Sequence, residues 1–282
     1  MARVVAGIGS SHVPSIGRAY DRGLQRTGAW RPLFDAYRPV RRWLSEEIRP
    51  DLAVVVYNDH GNAFFFDRYP TFALGVAESY PPADEGFGPR ALPPVPGDLE
   101  FSWHLAQSLV ADEFDLMFCQ DLPVDHGLLV PLPLLWSHQP SWDIRVVPLA
   151  VNVLLHPLPT ARRCYRLGAA LRQAVERYPE NRRVVVVGTG GLSHQLHGKR
   201  FGHLAPDFDH EWLDRLVADP EGLAALSHEE IMAKAGAEAV EIIMWLIMRG
   251  ALSAEVKEIY RNYYAPMTTG MALLGLADTS RA

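Results

Sequence analysis

The chain has 282 residues, a net charge of −6, 48% apolar and 21% charged residues, and two cysteines, Cys119 and Cys164. That balance belongs to a globular protein with a large core; it excludes extended disorder, a phosphate-neutralising nucleic-acid surface and a disulfide or thiolate-zinc framework. No polar or low-complexity linker divides the sequence, so residues 1–282 are expected to form one domain.

The opening MARVVAGIGSSHVPSIG reads as a strand running into His12, because its apolar run breaks at Gly9, Ser10 and Ser11 before a leader-like hydrophobic region forms. Residues 32–48 set Leu33, Phe34, Tyr37, Val40 and Leu44 near helical spacing among arginines and glutamates, which predicts an amphipathic helix. Pro50 closes it. Residues 52–57, LAVVVY, are then a continuous apolar run of the kind found in buried parallel strands, followed at once by Asn58 and His60. Between residues 80 and 98, six prolines and three glycines predict a long irregular loop, a candidate wall or lid for a site.

Residues 101–112 read as helix and 116–119 as strand, and Asp125, His126 and Gly127 open a turn before a Leu/Pro-rich stretch of ambiguous period. A second buried strand is expected over 144–153, an amphipathic helix over 161–178, and a strand over 183–187 feeding Gly188. Beyond His194 the pattern turns helical over 207–216, 227–235 and 236–249, with Gly250 as a stop, and residues 260–276 fit one late strand. The alternation implies an α/β fold with a central, mostly parallel or mixed sheet flanked by helices. The oiliest run, 242–248, falls far short of the roughly 18 apolar residues of a membrane span, so the expected location is the cytoplasm.

Three strand-like segments end in a histidine within a few residues: His12, His60 and His194. Ligands bind at the carboxyl ends of strands in parallel α/β sheets, so the three can converge on one site there. Glu241 sits in the apolar stretch AVEIIMWLIM, where an unpaired carboxylate is costly and needs a cation, either a metal ion or a lysine or arginine. Two imidazoles and a carboxylate, His12, His60 and Glu241, are the donor set of non-haem Fe(II) sites with open positions, and a zinc hydrolase can use the same donors. The run GTGGLSH lacks the spacing of a nucleotide-binding loop; its glycines instead suit a close backbone approach that aims His194 into a pocket as a proton shuttle. A hydrolytic Ser193–His194 pair is disfavoured because adjacent side chains on extended backbone point apart. His104, His138, His156, His197, His203, His210 and His228 lack such contexts and read as surface or packing residues.

The segments SSHVPSIG, VYNDH, PTFALG, PADEGFGPR, VDHG, GTGGLSHQL and EIIMWLIMRGAL resemble, in order from residue 1 to about 276, the class III extradiol ring-cleavage dioxygenases. The likeness is to the catalytic β subunit of protocatechuate 4,5-dioxygenase and to gallate dioxygenases. The resemblance implies that His12, His60 and Glu241 hold Fe(II), that His194 is the acid/base residue, and that Asn58 and His126 line the pocket, His126 near the ring or the oxygen. In the tail, Thr268 and Thr269 stand where the protocatechuate β subunit has a serine-asparagine pair associated with the substrate carboxylate.

The implied activity is Fe(II)-dependent insertion of both atoms of O2 into a carboxylated catechol, with protocatechuate 4,5-cleavage first and gallate or 3-O-methylgallate next. A zinc-dependent hydrolase and a non-catalytic metal-binding subunit are the alternatives. The implied partners are an aromatic diol and O2, a small separate α subunit that completes the pocket, and further copies of the chain in an oligomer; no nucleic acid or membrane partner is expected.

Overall fold

The computed structural model describes residues 1–280. In chain order its first half carries β1 (Arg3–Ser10), α1 (Pro14–Asp21), α2 (Arg31–Trp43), β2 (Leu52–Tyr57), β3 (Phe72–Gly75), β4 (Ser79–Tyr80), β5 (Val95–Pro96), α3 (Leu99–Ala111), β6 (Met117–Cys119), α4 (His126–Leu129) and α5 (Leu132–Leu135). The second half carries β7 (Arg145–Val151), α6 (Ala161–Arg177), β8 (Arg183–Thr189), α7 (Pro206–Ala218), α8 (Pro220–Ala224), α9 (His228–Ala235), α10 (Ile243–Gly250), β9 (Val256–Tyr264) and β10 (Met271–Asp278). Eight strands form one sheet in the order β6-β3-β7-β2-β8-β1-β10-β9, while β4 and β5 pair with each other. The run β7-β2-β8-β1 is parallel, β10 and β3 flank it antiparallel, β9 pairs antiparallel with β10 and β6 parallel with β3, so the sheet is mixed as its sequence pattern implied.

Both faces of the sheet are covered, which is why β2 and β8 read as unbroken apolar runs. Leu52, Val54 and Val56 enter the core beneath α3, α6 and α10, whereas Ala53, Val55 and Tyr57 enter the opposite core beneath α2, α4 and α5. Val184 and Val186 divide from Val185 and Val187 in the same way. Each fully buried valine of this kind contributes about 1.5–3 kcal/mol. Because β2, β8 and β1 are parallel neighbours, their carboxyl ends stand side by side at one edge of the molecule.

Three expectations change. Residues 236–249 are not one helix: Glu238–Ile242 is a 3-10 turn that passes into α10. The tail is a hairpin of two strands, β9 and β10, rather than one late strand, because charged and half-exposed residues such as Lys257, Glu258 and Arg261 mask the first strand's pattern. Gly250 does not stop α10 from outside. It is the last residue of the helix, and it faces the Tyr165 carbonyl on α6 so closely that a Cβ would overlap it. Gly168 on α6 meets the Ile247 carbonyl in the same way, so this glycine pair lets the two helix backbones touch. Every residue of α10 is buried, Arg249 included, whose guanidinium donates to the carbonyls of Leu216 and Ser253, each at 2.9 Å.

Substituting Gly168→Ala should therefore force α6 off α10 and cost about 1–3 kcal/mol. Gly28→Ala, where a Cβ meets nothing within 4 Å, should cost at most about 0.5 kcal/mol. Urea unfolding checks this; equal midpoints for the two variants would refute the backbone-contact account.

Candidate metal centre

The parallel strands set the site. His12 follows β1 by two residues, and His60 follows β2 by three, on a turn whose Asp59 carboxylate accepts the N–H groups of Gly61, Asn62, Ala63 and Phe64. His194 follows β8 after the glycine run, where Gly190 takes a left-handed φ of 126° and the Gly191 N–H donates to the Glu241 carboxylate. Glu241 projects from the 3-10 turn ahead of α10.

These groups meet. The ligand nitrogens of His12, His60 and His126 lie within 4.8 Å of one another. Glu241 joins through His12, Oε2 standing 3.4 Å from Nε2, and through His194, Oε1 standing 3.6 Å from Nε2. Donors about 2.1 Å from a shared ion stand about 3.4 Å apart at a tetrahedral angle, so the His12–Glu241 spacing is that of neighbouring ligands. Among the described residues Glu241 belongs to no three-donor group as tight as the three histidines, and no lysine or arginine forms an ion pair with it.

The other face of each imidazole is occupied. His60 Nδ1 is 3.0 Å from the Asp125 carboxylate, which also accepts the His60 backbone N–H at 2.7 Å. His126 Nδ1 is held by Glu85, from the proline-rich loop, and Glu85 also accepts the His126 backbone N–H at 2.9 Å. His194 Nδ1 is 2.8 Å from the Leu192 carbonyl, and His12 Nδ1 is 2.9 Å from the Thr189 hydroxyl. Carboxylates and carbonyls only accept, so Nδ1 carries the proton in His60, His126 and His194, and Nε2 keeps its lone pair.

Burial disfavours charge on His12 and holds its pKa below the ordinary value, although Glu241 pulls the other way. Burial also opposes the charge on Glu241, yet His12, then His194 and His60, outweigh it and hold the carboxyl at about 2. On His60 burial again opposes charge, but Asp125 overcomes it and raises the pKa; Asp125 in turn lies well below the usual carboxylate range. An ionised carboxylate facing imidazole lone pairs is the donor state a divalent cation requires, so the residues fit a metal ion held by nitrogen and oxygen. Cys119 and Cys164, both buried free thiols, lie in β6 and α6 and take no part.

The remaining expected site residues divide. His126 stacks on His60 with ring centroids 3.8 Å apart. Asn58 Nδ2 is 3.0 Å from His60 Nε2, while its buried Oδ1 has no partner and is free to accept from a ligand. Thr269 is buried and bridges to His194 through the backbone, whereas Thr268 is half-buried in the adjoining turn. The Ser193 hydroxyl binds Asp209 and Ala205 rather than His194. Sequence reasoning missed Asp125, Glu85 and Thr189 as supports; Asp125 had one legible signal, a helix N-cap two residues before Gly127, whose N–H it accepts at 2.9 Å. Beside His60 opens a cleft of about 400 Å³ lined by Phe64, Phe65, Phe66, Tyr69, Leu154 and Leu155 among others.

Residues 6–274 match the family described as the catalytic LigB subunit of aromatic ring-opening dioxygenase. The gallate dioxygenase of Pseudomonas putida is 50% identical over 200 residues, which are 71% of this chain and 59% of that protein. A 2,3-dihydroxyphenylpropionate/2,3-dihydroxicinnamic acid 1,2-dioxygenase of Photorhabdus laumondii is 27% identical over 289 residues, covering 84% of this chain and 88% of that one. The crystal structure of an uncharacterized protein from Escherichia coli K12 superposes with a TM-score of 0.62 at 14% identity, over 97% of this chain and 99% of that one, and shares the fold. The chain thus spans about three fifths of the gallate dioxygenase's length, at 59%.

Replacing Asp125 by Asn should remove the charged acceptor that orients His60 and weaken metal binding about 10- to 100-fold at neutral pH. A second signature follows from the direction of the His60 shift. Protons compete for a ligand whose pKa is raised, so affinity in the parent should fall as pH drops through a point above the ordinary value of about 6.5, and Asp125→Asn should move that fall to lower pH. Equilibrium dialysis with metal analysis measures both; an unchanged affinity and pH profile would remove Asp125 from the site.

Proposed function

The chain belongs to the LigB family of catalytic subunits of aromatic ring-opening dioxygenases, and from that premise we propose that it is an Fe(II)-dependent extradiol dioxygenase of carboxylated catechols. The observation that carries the proposal is the meeting of His12 and His194 on the two oxygens of one buried, ionised carboxylate, Glu241. His12, His60 and Glu241 would hold the ion, and His194 would stay free for proton transfer. When bound, ferrous iron supplies one coordination sphere for both hydroxyl oxygens of a diol and for O2.

The protein's own part is binding and proton handling. His194, with Nδ1–H committed to Leu192, offers its Nε2 lone pair to a diol hydroxyl, takes that proton, and returns one to oxygen as the ring opens. The ionised Glu241 beside it stabilises the imidazolium while the proton is held. Asn58 Oδ1 accepts from the substrate, His126 borders it with a ring already braced by His60 and Glu85, and Thr268 and Thr269 offer hydroxyls to its carboxylate. The 50% identity to a gallate dioxygenase favours gallate over protocatechuate as the first substrate to try. Residues 1–282 act as one catalytic unit in this reading, and a small separate subunit would cover the exposed Phe65 and Phe66 beside His60.

The three-histidine group His12, His60 and His126 supports one second reading, since three imidazoles with a bound water make hydrolytic zinc sites. The deciding experiment loads the protein anaerobically with Fe(II) or Zn(II), adds gallate, protocatechuate, 3-O-methylgallate, catechol or the ester p-nitrophenyl acetate, and admits oxygen. Oxygen uptake with Fe(II) alone is expected, highest with gallate; ester turnover with Zn(II) and no uptake with any diol would overturn the proposal. His194→Ala should keep its iron while turnover falls about 10²- to 10⁴-fold. Turnover equal to the parent would deny His194 its role.

A further inference from the structure

We infer that Asp209 is a positioning residue for the reaction, locking the His194 segment to the turn that carries Thr268 and Thr269; this rests on the reading of His194 as the base. Asp209 lies in α7, fully buried, and among the described residues it has no lysine or arginine partner. Its Oδ1 accepts the Ser193 backbone N–H at 2.8 Å, and its Oδ2 accepts the Ser193 hydroxyl at 2.6 Å and the Tyr263 hydroxyl at 2.8 Å. The Ser193 hydroxyl oxygen in turn accepts the Ala205 N–H at 2.8 Å. The Ser193 carbonyl accepts the Gly270 N–H at 2.8 Å, and the Gly270 carbonyl accepts the Leu192 N–H at the same distance.

Every polar group of Ser193 is thereby engaged, and its four bonds reach three parts of the fold: α7, the segment entering α7, and the turn before β10. Tyr263 on β9 closes the knot from the hairpin side. The Asp209 carboxylate also lies against Gly270, where a Cβ would overlap it, so the residue after Thr269 is held at the same point as the residue before His194. An apolar side chain would fill this position without the desolvation cost of a carboxylate. The two oxygens of the carboxylate take the N–H and the hydroxyl of Ser193 separately, and that double contact sets where the His194 backbone begins. A displacement of 1 Å at a reacting group costs about 10²-fold in rate, so the lock bears on turnover.

The test uses Asp209→Asn and Ser193→Ala, singly and together, in the iron-loaded protein. Each single variant should keep its metal content while kcat falls about tenfold or more. The double variant should lose less than the product of the single losses, because the two changes share the Ser193 hydroxyl–Asp209 contact. A kcat within twofold of the parent in either folded single variant, or losses that multiply in the double, would overturn the inference. Ser193→Ala, the smaller change, decides it where Asp209→Asn does not fold. A second readout needs no turnover: imidazole ¹⁵N shifts of His194 in zinc-loaded protein should report Nδ1–H in the parent and a mixture of tautomers in both variants. A parent that takes up no oxygen would sink the functional reading alone, whereas an unmixed Nδ1–H tautomer in both variants would sink the positioning role.

Discussion

A single buried carboxylate organises this protein's site. Glu241 stands among Val240, Ile242, Ile243 and Met244, and charge there is tolerated only because the Gly191 N–H donates to it and the imidazoles of His12 and His194 face its two oxygens. That requirement reaches far into the fold. It needs β1, β2 and β8 to be parallel neighbours so that the histidines arrive at one edge, and it needs a 3-10 turn ahead of α10 to bring the carboxylate back to that edge. The close seating of α10 on α6 through Gly168 and Gly250 keeps that turn where it is.

The supports behind the histidines divide the site into two halves of different electrostatic character. His60 and His126 lean on the carboxylates of Asp125 and Glu85, anionic partners that fix the orientation of both rings. His12 and His194 lean on neutral partners, the Thr189 hydroxyl and the Leu192 carbonyl. These neutral acceptors orient the two rings without placing a second carboxylate beside Glu241. The proline-rich loop belongs to the first half: Glu85 reaches His126, and Arg90 ties the loop down through Asp21 and the Leu129 carbonyl.

Much of the architecture is legible before any coordinates. The β2 segment shows itself because both of its faces are buried and no polar residue interrupts it, and α6 shows itself through its one apolar stripe. β3 escapes because it contributes only four residues, and β9 because its charged residues share a half-exposed surface with Tyr260 and Tyr263. Gly250 illustrates a different failure: a glycine at a helix end signals a cap in sequence, and only the neighbouring helix reveals that it marks a contact.

By itself the sequence determined the donor types, their delivery by strands that end in histidine, and the anomaly of an acid in an oily stretch, because these depend on local composition and period. The tertiary structure alone decided that His126 stands with His12 and His60, that Asp125, Glu85, Thr189 and the Leu192 carbonyl select the imidazole faces, and that Asp209 ties Ser193 to the hairpin. Those contacts join residues that are far apart in the chain or meet through backbone atoms. No local pattern of side chains encodes either kind of pairing, since the sheet order and the helix packing must exist before the partners are neighbours.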